Sequence, residues 1–237
     1  MKIPEKISPN PIIDFVIDIK FLPKQPPDAV FGLIYNLIQS KFGNIVKLPI
    51  LQVPDEIRNK DQNLLYQPYY RLTNDQFVLQ IGPRILALSA PKYPGWDIVI
   101  NEAMNIFQAI NKIQLFDKIN RIGIRYVNFF KENIFENSEL SLIMKGKNLS
   151  SEKTFFRTEI TNNNYKSLIQ ISNSANINNK LGSVIDIDTS LSDIKSNEDI
   201  ISQIDSFLSE GHELCKELFF GLIKEDYLLQ FNPKYDK

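Results

Sequence analysis

This chain has little of the chemistry that reactive sites use. Its 237 residues include one cysteine, Cys215, and one histidine, His212. A single cysteine excludes an internal disulfide and fits a reducing compartment, so a cytoplasmic location is expected. A lone imidazole with a lone thiol is too little for a zinc site. Long apolar runs are also missing. None approaches the roughly 20 residues of a membrane-spanning helix, and residues 1–6 lack the apolar core of a signal peptide, so no membrane is expected. Neither sign of charge predominates: 27 Lys and Arg stand against 28 Asp and Glu, a net charge of -1. That balance argues against nucleic acid or an anionic membrane as partner. The chain has no phosphate loop, no Gly-rich dinucleotide fingerprint, no His-Glu-x-x-His and no nucleophile elbow, and no cofactor is expected.

What is present is ordinary for a globular chain, 43% hydrophobic and 23% charged, with length enough for a sizeable core. Residues 1–10 read as a flexible lead. Ile13, Phe15, Ile17 and Ile19 then alternate with Asp14, Asp18 and Lys20 over residues 11–21, which predicts a strand with one buried face. Pro26-Pro27-Asp28 opens a helix carrying Val30, Ile34, Leu37 and Ile38, with Gly43 as its expected C-cap. Residues 44–53 read as a strand weakened by Pro49, and 55–63 as a polar connection. Three short strands at 66–72, 76–81 and 84–89, separated by Asn74-Asp75 and Gly82-Pro83, predict an antiparallel meander. After Pro94-Gly95, the stripe of Trp96, Val99, Ile100, Ala103, Ile106, Phe107 and Ile110 predicts a helix.

Arg121-Ile122-Gly123-Ile124-Arg125-Tyr126-Val127-Asn128 is the central strand of the reading. Ile122, Ile124 and Tyr126 share one face with Asn128; Arg121, Gly123 and Arg125 share the other, where something acidic is expected. Further strands are predicted at 140–147, 154–161, 165–172 and 183–189, with Asn162-Asn163-Asn164 as a hairpin turn and 173–182 as a polar loop. Ser196 and Asp199 read as the cap of a long helix bearing Ile200, Ile204, Phe207, Leu208, Cys215, Leu218, Phe219 and Leu222, with Gly211 in its middle. Residues 232–237 read as a tail. The expected fold is α+β: an antiparallel sheet built from two meander-plus-helix halves and packed by at least three helices. It forms one domain over 11–231, or two subdomains, 11–116 and 117–231.

Four stretches together carry a resemblance: the 11–21 strand; Gln80-Ile81-Gly82-Pro83 followed by Tyr93-Pro94-Gly95-Trp96; the 121–128 strand; and Val184-Ile185-Asp186-Ile187-Asp188. They resemble a sporadically distributed family of bacterial and archaeal proteins with no established function. The likeness runs from about Pro11 to Phe231; the family's first strand tends to carry Glu where this chain has Asp14. The resemblance implies no catalytic residues. Patchy distribution is typical of mobile or defence-associated genes, so it implies a prokaryotic setting of defence or toxin–antitoxin type.

Asp186 and Asp188 are the strongest acidic candidates. Two apart on a strand, they point to one face, as carboxylates holding Mg²⁺ do in phosphoryl-transfer enzymes. Gly182-Ser183 upstream is similar to a nucleotidyltransferase signature but lies too near the acids. The simpler reading pairs Asp186 and Asp188 with Arg121 and Arg125 across the sheet. Arg157 and Glu159 share a strand face with Thr161; they read as a solvated face or as an extension of the same polar cluster. Convergence of Arg125, Arg157, Asp186 and Asp188 would make a mixed-charge cavity for a phosphate or carboxylate. His212 and Cys215, three apart on a helix, read as packed residues before a nucleophile and base. Tyr66, Tyr69 and Tyr70 with Arg71 form an aromatic-basic patch, and Trp96 reads as a core anchor before a stacking platform. The function expected is a non-enzymatic cytosolic binding or regulatory module. The alternatives are a sensor of a small anionic ligand and a metal-dependent phosphoryl-transfer enzyme using Asp186 and Asp188. The expected partner is a protein, with a small anionic ligand and a homo-oligomer also open.

Overall fold

The alternation at the start of the chain becomes β1 (Ile12–Pro23), whose Phe15, Ile17, Ile19 and Phe21 are fully buried while Asp14 and Asp18 face the other way. The structure is a computed structural model and describes residues 2–194 and 200–235. Pro27–Ala29 forms one 3-10 turn leading into α1 (Val30–Ile38), which ends at Gln39. Gly43 therefore does not cap it and instead opens β2 (Gly43–Lys47). The strand expected over 44–53 stops there: Pro49 fits the first turn of a 3-10 helix, Pro49–Gln52, and the polar connection after it contains α2 (Asp55–Arg58). The meander is β3 (Tyr70–Thr73), β4 (Val78–Gly82) and β5 (Ile85–Ser89), antiparallel throughout. α3 (Trp96–Lys112) buries the predicted stripe at Val99, Ala103, Ile106, Phe107 and Ile110.

β6 (Phe116–Phe130) is longer than its Arg-Gly-Arg centre suggested. The 140–147 segment forms no long strand: β7 (Ile143–Met144) folds onto β8 (Lys147–Asn148) through Lys145 and Gly146, both at positive φ. β9 (Phe155–Asn162) and β10 (Tyr165–Ile177) meet at the asparagine turn, where Asn163 has φ 52°. The expected loop at 173–182 is mostly strand. β10 and β11 (Lys180–Ile194) run on to a tight turn at Asn178 and Asn179, both left-handed; the polar residues there belong to extended, largely solvated strand ends. α4 (Ile200–Leu222) and α5 (Glu225–Leu228) complete the chain, with a 3-10 turn over Leu229–Phe231. The proposed cap at Ser196 and Asp199 lies outside the described residues.

The fold is α+β. Nine strands join a sheet in the hydrogen-bonded order β2-β3-β4-β5-β1-β6-β11-β10-β9. The described residues form two compact units. One contains Asp14–Ile124 and Ser190–Ser209; the other contains Met1–Ile13, Arg125–Thr189 and Glu210–Lys237. β6, β11 and α4 are long enough to give residues to both, which a cut by sequence position cannot capture. In the first unit, α1 packs on α3 and β4. In the second, the expected lead and tail are tied together rather than loose: Glu5 N–H donates to the Lys234 carbonyl at 2.8 Å, and Lys234 N–H to Lys6 at 2.8 Å.

Candidate functional site

Asp186 gathers the polar residues of the second unit. On β11, Ser183, Ile185, Ile187 and Thr189 are buried on one face, and α4 lies against that face through Cys215 and Thr189. Asp186 points to the opposite face, yet is only 6% exposed. The Arg125 guanidinium covers it, Nε donating to Oδ1 at 2.8 Å and Nη2 to Oδ2 at 2.5 Å, a two-pronged, charge-assisted contact. Gln170 on β10 adds a donor to Oδ2 at 3.2 Å. Arg157 sits directly opposite Gln170 in the β9–β10 register and therefore shares its face. Four neighbouring strands thus place Arg125, Asp186, Gln170 and Arg157 in a row. Arg157 is exposed and makes no ion pair among the described residues. Glu159, also exposed, lies 3.5 Å from the Lys166 ammonium.

Of the expected pairs, Arg125 with Asp186 is present in this row. Arg121 has a partner on β1 that was not expected: its Nη1 lies 2.5 and 2.6 Å from the two oxygens of Asp18. Asp188 is half-buried on the face of Asp186. Cross-strand neighbours of the row lie side by side along the sheet. A cavity of about 350 Å³ in the same unit is lined by residues including Lys131, Glu132, Glu152, Lys153 and Gly182.

The groups that could support a reaction are engaged elsewhere. The Asp186 carboxylate is neutralised by Arg125, and among the described residues no three His, Cys, Asp or Glu side chains form a metal-binding group. Gly182-Ser183 serves packing. A Cβ at Gly182 would overlap the Phe130 carbonyl and the Phe129 ring, and the buried Ser183 hydroxyl donates to the Glu132 carbonyl at 2.7 Å while accepting from Ile134 N–H at 3.0 Å. Burial pushes the Cys215 thiol up to about 12; its Sγ donates to Thr189 Oγ1 at 3.2 Å, and that oxygen lies 2.8 Å from Ser167 Oγ. Burial, then the nearby Lys216 ammonium, lowers His212 to about 3. The ring is therefore neutral. Its Nδ1 lies 2.7 Å from the Tyr126 hydroxyl oxygen, and Glu213 Oε1 lies 3.8 Å from Nε2. A thiol held protonated and an imidazole held neutral do not make an activated nucleophile.

The aromatic patch is absorbed into the first unit. Tyr66 accepts from Asn120 Nδ2 at 2.7 Å, with the Lys20 ammonium 5.6 Å from its ring. Tyr70 stacks on Phe31 at 3.7 Å, and Tyr69 carries the Arg58 guanidinium 4.4 Å from its centroid. Trp96 is half-buried at the start of α3, behind Gly95 at φ 111°. Sequence reasoning missed three polar pairs: Arg121 with Asp18, Tyr126 with His212 and Ser167 with Thr189. The acid in β1 was visible, but which strand lay beside it was not. Comparison with models of known protein families and with curated proteins returns no match for this chain.

Proposed function

We propose that this protein acts by binding, as a cytosolic regulatory module whose partner is another protein, and that it carries out no reaction of its own. The observation that supports this is the occupation of Asp186. The acid best placed for metal-assisted chemistry is buried beneath Arg125 and accepts from Gln170 as well, so its charge and oxygens are already used within the protein. The neutral His212 and the fully protonated Cys215 point the same way. The test is a panel of phosphoester and nucleotide substrates with Mg²⁺ or Mn²⁺. No turnover that depends on Asp186 is expected. Turnover by the wild type that disappears in a folded Asp186→Asn variant would overturn the reading.

A second reading, a sensor of a small phosphate- or carboxylate-bearing ligand, has one observation in its favour: Arg157 is exposed, lacks an ion pair among the described residues, and stands beside Gln170 in the row. Thermal shift with inorganic phosphate, citrate and nucleotides separates the two. A sensor would gain stability from one of these and lose the gain in Arg157→Ala; a module that binds only protein would respond to none.

A further inference from the structure

The two strands that end the sheet order are finished differently. β2 is five residues long, shifts register between Gly43 and Val46, and ends in Lys47, all devices that blunt a sheet edge. β9 has none of them. It pairs with β10 over eight unbroken positions, contains no proline and no lysine, and exposes Phe155 at 64% and Ile160 at 42%. Its outer side carries no ladder among the described residues.

Which backbone groups point outward follows from the hairpin. Asn173 N–H donates to the Thr154 carbonyl, so Thr154 faces β10. Alternation then turns the N–H and C=O of Phe155, Arg157, Glu159 and Thr161 outward. Those four positions are the only backbone partners that β9 offers to another strand.

The geometry points to a second copy of this chain as the occupant, joined β9 to β9 in antiparallel register about a two-fold axis at Thr158. The argument is charge and register together. Antiparallel pairing of outward positions permits few fully overlapping registers. Slipped one way, Arg157 meets its own copy; slipped the other way, Glu159 does. Centred on Thr158, Arg157 faces the partner's Glu159 and Glu159 the partner's Arg157. In the same register Phe155 faces the partner's Thr161, Phe156 the partner's Ile160, and Thr158 the partner's Thr158. This is the register that matches opposite charges, gives the exposed Ile160 an apolar neighbour and uses every outward backbone group, for about eight new hydrogen bonds. It goes beyond the binding reading above, since an edge can pair whether or not the open sheet face takes a partner.

Sedimentation equilibrium of the full chain, with charge variants on the exposed side chains, tests it. The wild type is expected to be a monomer–dimer equilibrium. Arg157→Glu and Glu159→Arg each place like charges opposite one another at two symmetric points, and each should weaken the dimer at least about tenfold. The combined exchange, Arg157→Glu with Glu159→Arg, restores opposite charges and should return the dimer to near the wild-type constant. Circular dichroism confirms that each variant is folded. A wild type that stays monomeric at every concentration overturns the inference, as does a dimer indifferent to the single changes or one that the exchange fails to rescue. None of these results bears on the substrate panel, so the two readings fail separately.

Discussion

The Arg121 guanidinium lies across the backbone of Gly123 to reach Asp18, where Nη1 sits 2.5 and 2.6 Å from the two carboxylate oxygens. A Cβ at Gly123 would overlap that guanidinium. Glycine is otherwise a weak choice inside a strand, so its place here reflects the ion pair above it. Both side chains are less than one-fifth exposed, which limits screening by solvent. Gly123→Ala should cost about 1–3 kcal/mol by displacing the guanidinium. In an Arg121→Ala background the same change should cost nothing or stabilise slightly. Urea denaturation of the four-member cycle measures this; equal penalties in both backgrounds would refute it.

Arg125 and Asp186 should respond unequally to alanine. Removing Arg125 leaves a buried carboxylate with Gln170 as the remaining partner named in the row, whereas removing Asp186 leaves a guanidinium already 44% exposed and able to hydrate. Arg125→Ala should therefore cost about 2 kcal/mol and Asp186→Ala about 1 kcal/mol, allowing for the screening of a half-exposed pair. The double variant should be no worse than Arg125→Ala alone. Chemical denaturation at neutral pH gives the order, and the reverse order would show that the carboxylate is not the dependent partner.

His212 predicts a specific pH dependence. Its folded value of about 3 lies below the ordinary 6.5. Between those limits the unfolded chain binds a proton that the folded protein does not, so stability falls as pH drops from about 6.5 towards 3, by at most about 1.4 kcal/mol per unit. Above pH 6.5 the ring is neutral in both states and adds no slope. His212→Gln keeps a hydrogen-bonding group for Tyr126 and should flatten the stability profile between about pH 6 and 4 relative to the wild type. Carboxylates titrate in the same range, so the difference between the two profiles is the quantity to compare. Parallel profiles would count against a buried neutral ring.

Cys215 should resist thiol reagents. With the thiol buried and held up to about 12, native protein at pH 8 should react with a disulfide reagent far more slowly than a free thiol, and unfolding by urea should restore ordinary reactivity. Rapid labelling of folded protein would mean that this part of α4 opens readily.

Several elements were legible because their signal is local. The alternation that buries Phe15, Ile17, Ile19 and Phe21, the stripe of α3, and the asparagine turn after Asn162 each express a periodicity or a backbone preference of their own residues. Boundaries failed where composition is polar on both faces. Asn173–Ile177 looks like loop because its strand end has little to bury, and only the paired turn at Asn178 and Asn179 reveals otherwise. Within the candidate site, Arg125 and Asp186 could be picked out individually. Their pairing across the sheet was expected from opposite charge, but which acid meets which arginine depends on the register of β6 and β11, and the union of Arg121 with Asp18 on the adjacency of β6 and β1. Strand order is a long-range property that no window of sequence contains.

The interleaving of the two units has a consequence for biosynthesis. Each takes an early portion of the chain and a late one: Asp14–Ile124 needs Ser190–Ser209, and Arg125–Thr189 needs Glu210–Lys237. On the ribosome the first cannot close before residues 190–209 have emerged, nor the second before those from Glu210 on, so the domain-by-domain order open to consecutive units is not available here. A nascent chain stalled before Ser190 would expose incomplete strands from both and would depend on chaperones to keep them apart.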